Sequence, residues 1–298
     1  MVLNPPCVDS CFMKKKLILL LLVFSVKCFA QQAFKVDCNT IFICVDSATY
    51  TSLSATPYLR DTLAVFIESA TTTNAGSYQG KYLLGKSATI EFIQPKNTGL
   101  FGDSAGDMGL ELKTRLLGQQ AGIIKSARQQ GITLDTSSVT IPDSAGAISW
   151  YNVVSVKSNA GNFEFSTLEY QRDYLKYMGF NDTEIAAPMT YDYFNTKLSG
   201  GRQYPKQFSA IKSATIVATE KDIYLIKQFF GLNNFKSGKN SFTNGDFTLY
   251  YSIDNLATAT RLTSVTTTLL TPQRTRTLVI SNKLEIHVKN KEATLLFK

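Results

Sequence analysis

Two glutamates with the same local sequence pattern are the residues of this chain best suited to chemistry. Glu91 lies in "SATIEF" (87–92) and Glu169 in "STLEY" (166–170), and in both segments Thr and Glu alternate with apolar residues. Side chains of a strand point alternately to its two faces, so each carboxylate is expected on the face opposite the apolar residues. If helices cover the apolar face, both carboxylates look into one concave cleft, where they could hold a metal or act as acid and base.

Three tyrosines lie on the strands that would line the same cleft. We predict that Tyr78, Tyr82 and Tyr170 contact a small-molecule ligand there, whereas most other aromatic residues fill the core between sheet and helices. A simpler alternative stays open for Glu91. On a solvated strand, a cross-strand ion pair with Lys81 or Lys86 would explain it without chemistry.

The segment "GDSAG" (102–106) fits the G-x-S-x-G pattern of a serine hydrolase, and Asp254 and His287 follow Ser104 in the hydrolase order. The flanking sequence favours another interpretation. A loop, "QPKNTGLF", precedes the motif and the strand-like "DMGLEL" follows it, whereas a nucleophile elbow needs a strand before it and a helix after it. "DSAG" also recurs at 143–146, as expected of a turn in which Asp and Ser bond the local backbone. A serine hydrolase is therefore the least favoured alternative.

A repeated order of elements must position these residues. The first unit has a strand at 40–46, a helix at 49–63 interrupted by Pro57, and three further strands ending in "SATIEFIQP". The second has a strand at 107–113, a helix at 115–130 with Thr114 as N-cap, and two strands ending in "FEFSTLEYQ".

A third unit follows a less regular bridge at 171–209. It has a strand at 210–219, a helix from Glu220 to Phe230 capped by Thr219, and the strands "DFTLYYSI" and "RLTSVTTTLL". The tail is predicted to form hairpin strands with turns at 281–282 and 290–291.

Two consecutive units of this kind, each with a Glu on its closing strand, resemble the glyoxalase, or vicinal oxygen chelate, architecture. The segments "VDSATY", "SYQGKYLLGKSATIEFIQP" and "GDMGLEL" further resemble an uncharacterised secreted bacterial family related to that superfamily. The resemblance covers residues 39–172. It implies an α+β fold with paired βαβββ modules around a cleft, followed here by a third βαββ unit with a β-hairpin tail.

The resemblance also implies a divalent metal held by the first and last strands of each module. Glu91 and Glu169 match the last-strand positions, while the first-strand positions offer Asn39–Thr40 in unit one and Asp107 or Glu111 in unit two, with no histidine. We therefore predict that the cleft binds a small organic ligand without a metal. The alternative is a metal-dependent lyase, isomerase or dioxygenase that uses Glu91 and Glu169.

The chain begins with a leader typical of export. Met13 is the expected true start, since Lys14–Lys16, the apolar run 17–26 and Cys28–Ala30 form the three parts of a signal peptide. Ten apolar residues are about half of a membrane span, so no stable anchor is expected. The predicted organisation is a signal peptide at 1–30, a two-module domain at 31–172 and a C-terminal domain at 173–298, exported to the periplasm or the exterior.

Composition excludes one class of partner. The net charge is +8, but Lys and Arg are scattered among Asp and Glu, so no basic stripe for nucleic acid is present. Cys38 and Cys44 are the two cysteines outside the leader. Six residues of extended chain would place them roughly 20 Å apart, so a disulfide requires the chain to fold back between them. Dimerisation stays open, because paired modules come from one chain or from two.

Overall fold

Two mixed β-sheets account for most of the computed structural model, which describes residues 35–98, 101–144, 146–157, 161–198 and 206–298. The predicted signal peptide lies outside these ranges. Across the described ranges, no helix combines the length and apolar character needed to cross a membrane.

The first module runs from β1 to β4 with one helix. Asp46 caps the helix by accepting the N–H groups of Ala48 and Thr49. The helix ends before Pro57, as predicted, and a five-residue π-helical segment, Leu59–Leu63, follows. The elements are β1 (Val36–Cys44), α1 (Ser47–Ser54), β2 (Val65–Thr73), β3 (Gly76–Leu84) and β4 (Thr89–Ile93).

The second module repeats this order, with two differences from the sequence-based expectation. Thr114 ends a strand instead of capping the helix, which begins at Gln119 after Gly118. An additional edge strand, which contains Pro142, precedes the two predicted strands. The elements are β5 (Met108–Thr114), α2 (Gln119–Gln129), β6 (Asp135–Asp143), β7 (Gly146–Lys157) and β8 (Phe163–Tyr170).

The eight strands form one sheet in the order β2-β3-β4-β1-β5-β8-β7-β6. Within each module the first and last strands are parallel, and the modules join through the antiparallel pair β1–β5. Asn74, at the β2–β3 turn, hydrogen-bonds the backbone of Ser138 and Thr140 on β6, so the two outer strands of the sheet meet. The sheet therefore curls around a concave face, and the predicted α+β fold with paired modules is confirmed.

Three short helices follow β8 and cover one part of this concave face: α3 (Arg172–Tyr177), α4 (Asp182–Ala186) and α5 (Tyr191–Leu198). Their apolar side chains form a separate cluster in which Tyr170 of β8 stacks on Phe194 with ring centroids 4.5 Å apart. The buried Lys113 donates to the backbone carbonyl of Met189 in the same segment. The region that the sequence indicated only as an irregular bridge thus fills part of the cleft.

The third unit repeats the module topology in a second sheet of order β10-β11-β12-β9-β13-β14. Its first and last module strands, β9 and β12, are parallel. Thr219 caps the helix by accepting the N–H of Asp222, as predicted. The elements are β9 (Phe208–Ala218), α6 (Glu220–Leu232), β10 (Lys236–Gly238), β11 (Ser241–Thr243), β12 (Thr248–Ile253), β13 (Arg261–Val279) and β14 (Leu284–Phe297).

The tail differs from the expectation in detail. The turn at Ser281 is confirmed, since its hydroxyl accepts the N–H groups of Lys283 and Leu284. Asn290 is not a turn residue but lies inside the long strand β14 at a shift in register opposite Gln273, with φ of 54°. The unit also contains the three-residue strands β10 and β11, so it is βαβββ.

The main core lies between the outer face of the first sheet and the third unit. Phe163 and Phe165 of β8 are fully buried, and Phe165 packs against Phe229 and Phe230 of α6 with centroid distances of 6.2 and 6.0 Å. Each such ring contributes about 1.5–3 kcal/mol on burial. This packing holds the outer face of the sheet rigid behind the concave face.

Candidate functional site

A cavity of about 480 Å³ remains in the concave face of the paired modules. Aromatic and aliphatic side chains form its walls, among them Phe42, Tyr78, Phe101, Val139 and Tyr151. Two carboxyl groups, those of Glu91 and Glu111, also line it. Residues of the β2–β3 turn and of the loop between β4 and β5 contribute the rim: Thr73, Ala75, Gly76, Ser77, Lys96, Thr98, Gly102 and the buried Asp103.

Glu91 occupies the middle of β4, between Phe42 on β1 and Tyr82 on β3. It is only 8% exposed, and within the described residues its Oε1 atom has no hydrogen-bond partner. Gly80 makes room for this arrangement, because a Cβ there would lie 2.9 Å from Oε1. Burial raises the pKa of Glu91 to about 8, the charge of Glu111 adds to this, and the nearby Tyr82 hydroxyl acts in the opposite direction.

Glu111 reaches the same cavity from β5, opposite Thr40 on β1. A register shift between Cys38 and Thr40 lets the Asn39 side chain approach as well, and its Nδ2 donates to Glu111 Oε2 at 3.4 Å. Burial raises the pKa of Glu111 to about 7, although hydrogen bonds from Asn39 and Thr40 lower it. The site therefore holds two carboxyls that both resist ionisation near neutral pH.

Phe42 shapes the wall of the cavity because its partner on β5 has no side chain. A Cβ on Gly109 would lie 2.0 Å from the Phe42 ring, so the ring lies directly over the glycine. The ring also meets Phe101 edge to face at 5.8 Å. No pattern in the sequence predicted this pair, since it depends on cross-strand register.

Of the three tyrosines predicted to line the cleft, Tyr78 lines the cavity and Tyr82 stands beside Glu91. The Tyr82 hydroxyl hydrogen-bonds Thr71 Oγ1 at 3.1 Å, and burial together with the Glu91 charge raises its pKa to about 12. Burial likewise raises the pKa of Tyr78. Tyr170 is on the concave face but lies beneath helices α3–α5, away from the cavity.

Glu169 does not share the cavity with Glu91, contrary to the expectation from sequence. Its carboxylate accepts the N–H of Gly118 at Oε1 and the N–H of Gln120 at Oε2, both at 2.9 Å. Glu169 therefore caps the start of α2 on the outer face of the sheet, where an anion is favoured by the helix dipole. The structure brings Glu111, one of the two first-strand alternatives, together with Glu91 instead.

Ser104, Asp254 and His287 are not assembled into a triad. The Ser104 hydroxyl donates to Asp103, His287 pairs with Glu285 on β14, and Asp254 accepts a backbone N–H in a turn. The "GDSAG" segment is the connection from β4 to β5, as predicted, and Asp107 organises it by accepting the N–H groups of Gly102 and Ser104. Asp107 is the other first-strand candidate for a metal ligand, but its carboxylate is occupied by these hydrogen bonds within the turn.

Cys38 and Cys44 both lie on β1 as buried free thiols. Burial raises the pKa of both thiols, that of Cys44 to about 12, so neither has the character of a reactive thiolate.

The donor set at the cavity does not fit the divalent metal that the resemblance implies. Among the described residues three carboxyls line it: those of Glu91 and Glu111, and that of Asp103, which accepts the N–H of Thr98 in the loop between β4 and β5. Asn39 presents an amide N–H to Glu111 instead of an oxygen. Over the ranges that the structure describes, no three or more His, Cys, Asp and Glu side chains are grouped as metal ligands. Stable sites for a divalent cation usually need more protein ligands than this pair supplies.

Fold and cavity together define a protein of the paired βαβββ-module class, with a glyoxalase-like sheet. The chain belongs to a family described as "Family of unknown function (DUF5829)", whose model matches residues 38–297. No curated protein matches the chain.

Solved structures with similar folds are distant in sequence. A hypothetical protein from Staphylococcus aureus has a TM-score of 0.49 at 10% identity, covering 82% of this chain and 96% of that one. The Mn(II)-bound glyoxalase from Novosphingobium aromaticivorans has a TM-score of 0.37 at 8% identity, covering 74% and 62%. A mutant of 4-hydroxymandelate synthase from Streptomyces coelicolor has a TM-score of 0.38 at 12% identity, covering 73% and 63%.

Proposed function

We propose that this protein binds a small organic ligand in the cavity of its paired modules, with Glu91 and Glu111 as the polar anchors. The observation that carries the proposal is the Oε1 atom of Glu91, which is buried at the cavity and has no hydrogen-bond partner among the described residues. A buried polar atom without a partner costs about 1–3 kcal/mol, and native proteins rarely keep one without use. A ligand that donates a hydrogen bond to this atom removes the cost.

The size and lining of the cavity support the same proposal. A volume of about 480 Å³ is in the range of small-molecule sites, which combine mostly apolar walls with a few polar groups that fix orientation. The aromatic walls supply the apolar contact, and the two carboxyls supply the orientation. We also propose that the protein performs this role after export, on the strength of the leader at residues 1–30.

A fragment screen by ligand-observed NMR on the purified protein tests the proposal. Val139 lines the cavity, so Val139→Trp should fill it and abolish binding of the fragments that the wild-type protein retains. Val279→Trp, on the exposed part of β13, is the matched control and should leave binding intact. Thermal denaturation checks that both variants are folded. An absence of bound fragments, or binding that Val139→Trp leaves unchanged in a folded protein, would contradict the proposal.

A further inference from the structure

The cavity offers hydrogen-bond acceptors and aromatic faces but little positive charge. Among the described residues that line it, Lys96 is the one cationic side chain. Lys96 is exposed at the rim, and its Nζ already donates to the backbone carbonyl of Ser77. Among the described residues that line the cavity, Glu91 and Glu111 therefore have no basic partner. An anionic ligand would meet two carboxyls there.

The two carboxyls are also coupled to each other. Glu91 and Glu111 lie on strands that flank β1, opposite Phe42 and Thr40, which are two residues apart and therefore on one face of β1. The charge of Glu111 raises the pKa of Glu91, so the pair retains protons that a compensating positive charge would expel. Other ionisable groups around the pair are Cys38 from β1, Tyr50 from α1, Tyr78 and Tyr82 from β3, Lys113 from β5, Tyr151 from β7, Glu164 and Tyr170 from β8, and Lys96 and Asp103 at the rim.

Aromatic rings next to these carboxyls complete a surface suited to a cation. Phe42, Tyr78, Phe101 and Tyr151 line the same cavity as the pair. The face of an aromatic ring attracts an ammonium group, and the attraction grows when water is excluded. Rings and carboxyls together favour a ligand that has both a positive charge and an apolar body.

We infer that the cavity binds a small organic cation, with a protonated amine seated between Glu91 and Glu111 and an apolar or aromatic body against Phe42, Tyr78 and Tyr151. The inference rests on the proposed function and specifies its ligand class. The amine donates to the unpartnered Oε1 of Glu91 and offsets one of the two negative charges that the ionised pair would carry, whereas a neutral ligand satisfies the hydrogen bond but offsets no charge.

Proton release is the signature of this mode of binding. The carboxyls are partly protonated near neutral pH, with pKa values of about 8 and 7, while an alkylammonium stays charged up to about pH 10. Binding of the cation favours the ionised pair, so protons leave the protein as the amine enters. Affinity for the amine should therefore rise between pH 6 and 8.5.

Three probes of similar size that differ in charge test the inference: 2-phenylethylamine, 2-phenylethanol and phenylacetate. Isothermal titration calorimetry at pH 7, in two buffers of different ionisation enthalpy, gives both affinity and proton release. We expect the amine to bind at least about tenfold more tightly than the alcohol or the acid, with protons released for the amine alone. Glu91→Gln and Glu111→Gln should each weaken the amine about tenfold without changing the alcohol. Glu292→Gln, at a half-buried glutamate on β14 that pairs with Lys212 and does not line the cavity, is the control.

The outcomes separate this inference from the proposed function. Equal binding of amine and alcohol, or amine binding that survives Glu91→Gln/Glu111→Gln, overturns the cationic class but leaves a ligand-binding cavity in place. Binding of neutral fragments in the NMR screen without binding of any amine would likewise overturn the cationic class and leave the ligand-binding cavity in place. If no fragment and no probe binds, both the proposed function and the inferred ligand class are wrong.

Discussion

Glu91 and Glu111 line one cavity from strands that lie on either side of β1, and the charge of Glu111 raises the pKa of Glu91. Two carboxyls in such a position destabilise a folded protein once they ionise, because each is removed from water and neither has a basic partner within the buried part of the cavity. Their presence is a cost to folding that a bound ligand would offset. Stability measurements can therefore detect the pair before any ligand is known.

The first prediction concerns stability as a function of pH. The pKa values of Glu91 and Glu111 are raised from the ordinary 4.5 to about 8 and 7, so the folded state holds protons that the unfolded state has lost. The destabilisation from these groups is absent below about pH 4.5, grows as the pH rises, and is complete above about pH 8. Glu91→Gln should therefore gain stability relative to wild type, by on the order of a few kcal/mol, between pH 5 and pH 8.5.

Urea denaturation of both proteins at pH 5 and pH 8.5 provides the measurement. Only the difference between variant and wild type is interpreted, because carboxyls with lowered pKa, such as Glu184, add a pH dependence common to both. Glu292→Gln removes a surface ion pair with Lys212 and should show no such growing difference, because that pair stays ionised over this pH range. A wild type and a Glu91→Gln variant with parallel pH profiles would mean that Glu91 is solvated.

The second prediction concerns Glu169, which caps α2 through Gly118 and Gln120. Glu169→Ala removes a charged N-terminal cap and should destabilise the protein by about 1–2 kcal/mol. Binding of 2-phenylethylamine should not change, because Glu169 does not line the cavity. Urea denaturation and calorimetry on the same preparation measure the two effects. If this variant lost the ligand or a stoichiometric metal while its stability was unchanged, Glu169 would have to be a residue of the binding site.

The contrast between the two glutamates shows what the sequence could and could not predict. Alternation placed Glu91 correctly because Ile90 and Phe92 are buried against the outer face of the sheet. The same pattern misplaced Glu169, because Leu168 and Tyr170 are buried on the opposite, concave face. Helices α3–α5 cover that face with apolar side chains, so the residues of β8 that point toward them are apolar as well. When both faces of a strand are covered, period-two alternation cannot tell which face is concave and which is the outer one.

The module pattern was predictable because each module has long strands and a single helix separated by turn residues. The shorter elements were not. Strand β6 is polar and contains Pro142, which suits an edge strand and gives no hydrophobic alternation. Strands β10 and β11 have three residues each. Their pairing depends on the neighbouring β12 more than on their own sequence.

The third prediction concerns Ser104. Its hydroxyl donates to Asp103, and His287 bonds Glu285, so the one histidine of the chain is not positioned to activate the serine. A fluorophosphonate probe should therefore leave the protein unlabelled, and Ser104→Ala should bind the same fragments as wild type. Intact-protein mass spectrometry measures the labelling, with an authentic serine esterase as the positive control. A stoichiometric adduct that disappears in Ser104→Ala would establish a nucleophile and reopen the hydrolase alternative.

The fourth prediction concerns the Phe42 ring above Gly109. A methyl group on residue 109 would come within 2.0 Å of the ring, so Gly109→Ala must push the ring away from β5. Because the ring is part of the cavity wall, this displacement should reduce cavity volume and cost about 1–3 kcal/mol of stability from overpacking. Phe42→Leu in the Gly109→Ala background removes the clash and should recover most of the loss. Thermal or urea denaturation of the two variants against Phe42→Leu alone completes a double-mutant cycle. Strictly additive effects would show that the ring does not lie over the glycine, and the shape of the cavity wall would then have to be revised.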